Sequence, residues 1–259
     1  MSADEGSVGL EREGAVAHLT LDRPARRNAL TRAMYDRLEG LLDGLAGEED
    51  LRLVVLRGAG GTFVSGSDIG ELADVASGED GVRYERRIDR VLEKLERLRV
   101  PTLAVVEGWA TGAGLLLALA CDLRVASRDA RFGAPIARTV GNCLSVRSLA
   151  RVVSHVGPAL TKEILFLAGS VDAERARAAG LVVEVVEPGL LDERVEAISG
   201  RILEHAPLTL LATKEALARL EERGVPDDVD LLRRVYGSRD FREGVSAFLE
   251  KRPPRWEGV

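Results

Sequence analysis

The feature that most constrains this chain is a pair of glycine-rich turns, residues 63–69 (FVSGSDI) and residues 107–117 (EGWATGAGLLL). Each follows a β-branched apolar run, residues 53–56 (LVVL) and residues 103–106 (LAVV), and these runs predict buried parallel strands. Residues 112–114 (GAG) would let another atom approach the main chain closely before an Ala/Leu-rich helix begins. Two such turns, facing each other, can hold one oxyanion between two backbone N–H groups. Similar turns are common in α/β proteins without such a site, so the turns alone leave both interpretations open.

Length and composition indicate a globular domain of enzyme size. A chain of 259 residues, 46% of them hydrophobic, can bury one large core, as a single domain with an appendage rather than two equal domains. No apolar run approaches the roughly 18 residues that a membrane span needs. Residues 1–7 are polar and acidic, unlike a signal or transit peptide. We therefore expect a cytoplasmic protein with no membrane partner.

The net charge and the cysteine content exclude further classes of protein. A net charge of −6 and a pI near 5.4 argue against a nucleic-acid partner, which needs a basic face. Cys121 and Cys143 are too few for a disulfide framework or a metal clip, so we expect reduced thiols and no metal. A local basic cluster of Arg23, Arg26 and Arg27 is either a solvated loop or a site for phosphate groups, which suit a guanidinium.

The first two thirds of the chain alternate between strand and helix patterns, which predicts an α/β core. The first elements are a strand, a helix and a strand over residues 16–21, 31–45 and 51–57. Thr31 fits the N-cap position of the helix. Residues 73–81 are small and acidic with two glycines, which predicts a flexible connection. A charged helix with an apolar stripe follows over residues 82–99 and ends before Pro101.

The last third of the chain is predominantly helical. Leu/Ala-rich patterns predict helices over residues 158–169, 172–180, 190–205, 207–222 and 226–249. A short strand over residues 181–186 (LVVEVV) interrupts them. Helices this apolar need another surface to pack on.

Several short motifs, in their order and spacing, resemble the enoyl-CoA hydratase/isomerase (crotonase) superfamily over roughly residues 8–256. Besides the two turns they are residues 19–24 (LTLDRP), 28–30 (NAL), 121–126 (CDLRVA), 131–135 (RFGAP), 240–244 (DFREG) and 247–252 (AFLEKR). The resemblance implies an α/β crotonase (ClpP-like) fold of repeated ββα units. It also implies an acyl-CoA-binding core over residues 1–199 and a helical trimerisation segment over residues 200–259. The apolar stripes of that segment would lie between subunits of a homotrimer or a dimer of trimers.

The same resemblance implies an acyl-CoA thioester as the ligand. Its carbonyl oxygen would lie between the backbone N–H groups of Ser67 and Ala113, where fixed dipoles stabilise an enolate or oxyanion. Coenzyme A would enter as part of the substrate, with no tightly bound cofactor. The other implied substrate-binding residues are Ala25, Arg26, Arg27, Ser65, Asp68, Ile69, Gly112, Leu116 and Ile136, with Phe248 and Lys251 reaching the coenzyme A of a neighbouring subunit.

The chain departs from this family at the positions of the residues that transfer protons. Hydratases of the family place two glutamates beside the substrate, and the matching residues here are Leu116 and Ile136. Neither side chain can carry a proton, so the usual hydration mechanism does not transfer, and we expect weak or absent hydratase activity. The position that is acidic in dienoyl-CoA isomerases is Leu144. The chain's 3 histidines lie far in sequence from both turns and offer no replacement.

Other polar side chains are candidates for the missing acid and base. Asp68 follows the first implied donor, although an acid at this place usually caps the next helix. Tyr84, Glu85 and Asp89 lie on the helix that in relatives covers the acyl pocket. An exposed helix face explains these three residues equally well.

Residues 136–144 (IARTVGNCL) are unlike the usual glutamate-bearing segment of the family. Arg138 and Asn142 could polarise a substrate, and Cys143 could attack one. Arg138 fits a plain surface position as well. The segment therefore remains a candidate for direct chemistry.

Three functions stay open on the sequence. The first is an acyl-CoA lyase or isomerase that stabilises a thioester enolate with non-standard or substrate-borne acid–base groups. The alternative is a non-catalytic acyl-CoA-binding subunit, partnered with an active relative. The third is a structural or interaction role.

Overall fold

The computed structural model describes residues 5–221 and 229–255. Its strands are β1 (Ser7–Glu13), β2 (Val16–Asp22), β3 (Leu53–Gly58), β4 (Thr102–Val106), β5 (Trp109–Thr111), β6 (Leu123–Ser127), β7 (Arg131–Gly133), β8 (Ser170–Asp172) and β9 (Glu184–Val186). Its helices are α1 (Arg32–Ala46), α2 (Ile69–Leu72), α3 (Gly78–Glu96), α4 (Ala113–Ala120), α5 (Ile136–Thr139), α6 (Val146–Phe166), α7 (Ala173–Ala178), α8 (Leu191–Glu204), α9 (Pro207–Glu221), α10 (Val229–Tyr236) and α11 (Arg239–Leu249). In this described part, no helix is long and apolar enough to cross a membrane.

The larger sheet has six strands in the order β1-β2-β3-β4-β6-β9. Only the β1–β2 hairpin is antiparallel, and the other pairings of this sheet are parallel. The two apolar runs of the sequence form β3 and β4 at its centre, where every residue of β4 is buried. Continuous apolar strands are what a parallel sheet covered on both faces requires. The prediction of buried parallel strands is therefore confirmed.

A second sheet contains the shorter strands in the order β5-β7-β8. In the chain, β5 directly follows β4 and β7 directly follows β6, and each such pair leads into a helix. Before α4, and again before α5, the chain thus adds one strand to each sheet. This repetition of ββα units confirms the predicted α/β fold class.

The larger sheet separates two apolar clusters, because alternate strand residues point to opposite faces. Val54 and Leu56 face a cluster that includes α1, α3 and α4. Val55 and Leu103 face a second cluster that includes α8. Every residue of α4 is buried, so the turn that opens this helix is anchored in the core.

The predicted flexible connection over residues 73–81 is wrong in its second half. α3 begins at Gly78, and the Ser77 side chain caps it. The glycines of this segment serve packing instead of flexibility. A Cβ on Gly81 would lie 1.9 Å from the ring of Tyr236, so only a glycine lets α10 pack this closely on α3.

The C-terminal helices differ from the prediction in their bounds. The helix predicted over residues 158–169 is the second half of α6, which continues across a kink at Gly157. The helix predicted over residues 226–249 is divided into α10 and α11, and residues 222–228 lie outside the described residues. The strand predicted over residues 181–186 is shortened to β9, and Leu181 and Val182 at its predicted start pack into the core.

The last two helices pack on their own chain. Their buried apolar residues form one cluster with α2 and the α2–α3 connection, and the members from α10 and α11 are Leu232, Tyr236, Phe241 and Val245. The expectation that these stripes lie between subunits is wrong for this face, since the same chain already covers it. The trimer or dimer of trimers stays a prediction, as does the division at residues 199 and 200, although α8 runs through that boundary and packs on the larger sheet.

We expect a Gly81→Ala exchange to destabilise the fold by about 1–3 kcal/mol, the usual cost of overpacking a closed contact. The added methyl would occupy space now filled by the Tyr236 ring. A Gly40→Ala exchange in α1 is the matched control, because its Cβ meets no atom within 4 Å. That variant should be more stable by about 0.5–1 kcal/mol, from helix propensity alone. Urea unfolding followed by circular dichroism measures the stability of both variants. Equal effects of the two exchanges would contradict the close packing of Tyr236 on Gly81.

Candidate active site

The first turn is oriented by a parallel bridge between Leu30 and Ser67. The Leu30 N–H donates to Gly66 O at 2.9 Å, and the Asp68 N–H donates to Leu30 O at 2.8 Å. The C=O and N–H of one trans peptide unit point in opposite directions, so the Ser67 N–H points away from Leu30. On that opposite side lies β5, which is bridged to Val64.

The second turn ends at the N-terminus of α4. Gly112 is the N-cap residue with φ +54°, a conformation that a β-carbon would strain. Ala113 is the first helical residue, and the first N–H groups of a helix have no acceptor within it. The positive end of the helix dipole is therefore uncapped by a side chain. Among the described residues, neither the Ala113 N–H nor the Ser67 N–H has a hydrogen-bond acceptor.

The two turns are in direct contact. Thr111 Oγ1 in the second turn donates to Ser65 O in the first at 2.9 Å. A Cβ on Gly114 would lie 2.0 Å from Val64 O, so α4 packs against the first turn through this glycine. Two N–H groups that lack an acceptor in the described part of the chain thus belong to adjacent turns. Chemically, such donors can stabilise negative charge that develops on one oxygen.

One buried side chain fixes the loop before α1 against the first turn. Asn28 Oδ1 accepts from the Arg23 N–H at 2.8 Å, and its φ is +56°, a region that asparagine tolerates better than most residues. Its Nδ2 donates at 2.8, 2.6 and 3.2 Å to the carbonyl oxygens of Ala59, Thr62 and Phe63. Asn28 thereby places Leu30, and Leu30 orients Ser67 through the backbone bridge.

The arginines of the basic cluster have different environments. Arg23 is buried, and its Nη1 donates to Asp68 Oδ2 at 2.6 Å. The other oxygen of Asp68 caps α2, as an acid at this place usually does, so the Asp68 carboxylate is already engaged by the protein. Arg26 and Arg27 are exposed beside Ala25. Phosphate groups can therefore reach Arg26 and Arg27, whereas burial makes the Arg23 side chain inaccessible to them.

Apolar side chains occupy the positions that the resemblance assigns to glutamates. Leu116 is buried in the same cluster as Ala113. Ile136 is half-buried at the start of α5, and Leu144 packs on the cluster of Leu116. Ile69, the first residue of α2, packs on the cluster formed by α10 and α11. None of these side chains can exchange a proton.

Two tyrosines lie against the first turn. Tyr35 of α1 is buried, and its hydroxyl lies 2.8 Å from Ser67 Oγ. Burial raises the pKa of Tyr35 above its ordinary value, so the phenol is neutral at physiological pH. The Tyr84 hydroxyl is close to the same Ser67 side chain, and burial raises the pKa of Tyr84 as well. The sequence missed Tyr35 because it occupies an ordinary position in the buried stripe of α1.

The acidic candidates on α3 are buried, so the interpretation of an exposed helix face is wrong for them. Asp89 Oδ1 accepts from the hydroxyls of Ser145 and Ser148 at 2.9 and 3.1 Å, and burial raises the pKa of Asp89. Glu85 accepts from the Tyr236 hydroxyl and from the Ser145 N–H at 3.2 Å. Sequence reasoning missed Tyr236, because no local pattern shows that α10 covers α3.

The remaining predicted residues lie apart from the turns or on the surface. Phe248 is 47% exposed near the end of α11, and Lys251 follows it with φ +56°. Arg138 is exposed on α5, and Cys143 is half-buried against the cluster of α10 and α11. Within residues 5–221 and 229–255, no group of three His, Cys, Asp or Glu side chains is arranged to hold a metal ion.

We expect an Asn28→Asp exchange to lower the free energy of unfolding by about 3 kcal/mol or more. It replaces a donor to three carbonyl oxygens with a buried acceptor. The size of the side chain is unchanged, so the loss of stability measures the contribution of the hydrogen bonds. Asp36→Asn on the exposed face of α1 is the control, and it should change stability by less than about 0.5 kcal/mol. Urea unfolding measures the difference, and a variant as stable as the parent would refute the role of Asn28.

The chain is similar in sequence to an established family over most of its length. The sequence model of a family described as Enoyl-CoA hydratase/isomerase matches residues 11–259. The chain is 33% identical over 255 residues to the 2,3-dehydroadipyl-CoA hydratase of Escherichia coli (strain K12), covering 96% of this chain and 98% of that protein. It is 32% identical over 255 residues to the short-chain-enoyl-CoA hydratase of Clostridium acetobutylicum, covering 95% of each.

Solved structures give the same relationship. A methylmalonyl-CoA decarboxylase in complex with 2-nitronate-propionyl-CoA superimposes with a TM-score of 0.88 at 27% identity, covering 97% of this chain and 98% of that one. An enoyl-CoA hydratase/carnithine racemase from Magnetospirillum magneticum superimposes with a TM-score of 0.80 at 34% identity, covering 97% of this chain and 96% of that one. Both matches cover nearly the whole of this chain.

Proposed function

This chain belongs to the enoyl-CoA hydratase/isomerase family, and we propose that it is an enzyme that binds an acyl-CoA thioester between its two glycine-rich turns. The thioester carbonyl oxygen accepts hydrogen bonds from the Ser67 and Ala113 N–H groups. One observation carries this proposal: both N–H groups lie in adjacent turns, and neither has an acceptor among the described residues. The relatives named above support the ligand class, since each is named for a CoA thioester.

The two N–H groups would accelerate a reaction by stabilising the negative charge that develops on the carbonyl oxygen. Removing a proton or a carboxyl group beside the carbonyl, or breaking a C–C bond there, leaves negative charge on that oxygen. Fixed backbone donors need no reorganisation to meet this charge, and losing one donor in such sites typically costs about 3–4 kcal/mol. The N-terminus of α4 adds the positive end of a helix dipole.

The coenzyme A moiety would extend over the exposed loop that follows β2. Ala25, Arg26 and Arg27 are exposed there, and Ser65 contacts the loop because its N–H donates to Arg27 O at 3.0 Å. A guanidinium fork suits a phosphate group. The loop is held to the first turn by Asn28, so the nucleotide end and the thioester end of the ligand would share one rigid support.

The reaction would differ from standard hydration. Leu116 and Ile136 supply hydrocarbon where a hydratase of this family supplies two carboxyl groups, and hydrocarbon does not activate water. An enolate-type reaction such as isomerisation or decarboxylation needs the oxyanion donors and fewer proton transfers. A non-catalytic binding subunit would share the same ligand site and would differ only in lacking any turnover.

We expect an Ala113→Pro exchange to weaken butyryl-CoA binding by about tenfold or more, because it deletes one donor. Proline is well tolerated at the first position of a helix, so the fold should persist. Ala173→Pro, at the first position of α7, is the matched control and should leave the affinity unchanged. Titration calorimetry measures both. Equal affinity of a folded Ala113→Pro variant and the parent would exclude the proposed contact.

We expect hydration of crotonyl-CoA to be at least about 100-fold slower than with the Clostridium acetobutylicum relative, because each general acid or base typically contributes about 10²–10⁴-fold. Loss of absorbance of the conjugated thioester measures both enzymes side by side. A comparable rate would show that Leu116 and Ile136 do not occupy the proton-handling positions.

A further inference from the structure

Three hydroxyl groups meet at the first turn of the candidate site. The Tyr35 hydroxyl of α1 lies 2.8 Å from Ser67 Oγ, and the Tyr84 hydroxyl of α3 is close to the same oxygen. Ser67 is also the residue whose backbone N–H has no acceptor among the described residues. These three residues, which we call the hydroxyl row, are therefore part of the candidate site itself.

The two ends of the hydroxyl row differ in exposure. The Tyr35 side chain is buried, whereas Ser67 and Tyr84 are half-buried. In the described part of the chain, Ser67 is the only hydrogen-bond partner of the Tyr35 hydroxyl. A buried phenol proton without an acceptor is costly, so Tyr35 donates its proton and Ser67 Oγ accepts it.

The hydroxyl row contains one proton more than its own hydrogen bonds need. Three hydroxyl groups carry three protons, and three oxygens in a row are joined by at most two hydrogen bonds. Because Tyr35 donates its proton to Ser67, the surplus proton belongs to Ser67 or to Tyr84. Both residues are at the accessible end, so the hydroxyl row presents one donor toward a ligand in the site.

The surplus donor is neutral at physiological pH. Burial is the main cause that raises the pKa of the Tyr35 and Tyr84 phenols. The negative charges of Glu85 and Glu71 raise the pKa of both phenols further. The positive charge of Arg87 opposes this at Tyr35 to a smaller extent. A protonated donor in these surroundings favours a neutral acceptor oxygen over a carboxylate, which the two negative charges would repel.

Covalent geometry limits the distance between this donor and the proposed position of the thioester oxygen. Ordinary bond lengths keep Ser67 Oγ within about 4 Å of the backbone nitrogen of the same residue. The two oxygens of a 3-oxoacyl thioester lie about 3 Å apart when both carbonyl groups point the same way. One oxygen can thus accept from the Ser67 N–H while the other accepts from the hydroxyl row.

We propose that the hydroxyl row is a subsite for an oxygen on the third carbon of the acyl group, so that the ligand is a 3-oxoacyl thioester. The proposal rests on the proposed acyl-CoA function. Ser67 and Tyr84 supply the donor, and Tyr35 is the positioning residue that fixes the Ser67 hydroxyl. An acyl chain with a methylene group at this place leaves the donor unpaired, so the site discriminates against such a chain.

Acetoacetyl-CoA and butyryl-CoA test this subsite, because they have equal chain length and differ only at the third carbon. Titration calorimetry measures both dissociation constants, and their ratio cancels effects on the shared coenzyme A moiety. We expect the parent protein to bind acetoacetyl-CoA at least about tenfold more tightly, which one well-placed hydrogen bond provides. Ser67→Ala and Tyr84→Phe should each lower this preference at least about threefold, because each removes a hydroxyl from the accessible end.

Two further variants separate recognition from structure. Tyr35→Phe should lower the preference about threefold, since the Ser67 hydroxyl is then no longer held. A merely structural role of Tyr35 would weaken both thioesters equally and leave the preference unchanged. Tyr236→Phe removes another buried phenol, which is bonded to Glu85, and this matched control should keep the parental preference. If Ser67→Ala does not fold, Tyr84→Phe decides, because it keeps the ring and removes only the hydroxyl.

The possible results distinguish the subsite from the proposed function. Equal affinity of the parent protein for the two thioesters would exclude the subsite and leave acyl-CoA binding intact. An unchanged preference in both Ser67→Ala and Tyr84→Phe would exclude the hydroxyl row as its cause. A lower preference in only one of them supports the subsite and assigns the surplus proton to that residue. Absence of binding of both thioesters would refute the proposed function, and the subsite with it.

Discussion

The contact between the two glycine-rich turns is the constraint on which the site depends. A Cβ on Gly112 would lie 3.7 Å from Gly66 Cα, and one on Gly114 would lie 2.0 Å from Val64 O. At Gly114 no side chain fits, so the fully buried helix α4 can start directly against the first turn. The close approach places Ser67 and the first residue of α4 in turns that are in direct contact. Backbone groups fixed in this way are preorganised, because the core determines their direction.

The surrounding structure supports that contact from two sides. On one side, Asn28 ties the loop before α1 to the first turn, so three backbone carbonyl groups find a buried donor. On the other side, α10 covers α3 through Gly81 and brings Tyr236 to Glu85. The first support consists of hydrogen bonds between segments that lie 31 to 35 residues apart in the sequence. The second depends on a helix near the end of the chain, and it brings the buried carboxyl group its phenol partner.

This difference explains what the sequence could and could not predict. The two turns and β3 and β4 are visible because β-branched runs followed by glycines are local signals. The role of Gly78 and Gly81 is invisible locally, because a glycine that makes room for a distant helix looks the same as one in a flexible loop. The burial of Glu85 is hidden for the same reason. A charged residue on an amphipathic helix is ordinarily exposed, and only the covering helix reverses that expectation.

A crystal structure of the protein with butyryl-CoA would test the central claim most directly. We expect the thioester oxygen at about 3 Å from both the Ser67 and the Ala113 nitrogen, the distance of a normal hydrogen bond. A thioester oxygen bound elsewhere, with the two N–H groups still lacking an acceptor, would contradict the claim that these turns form the site.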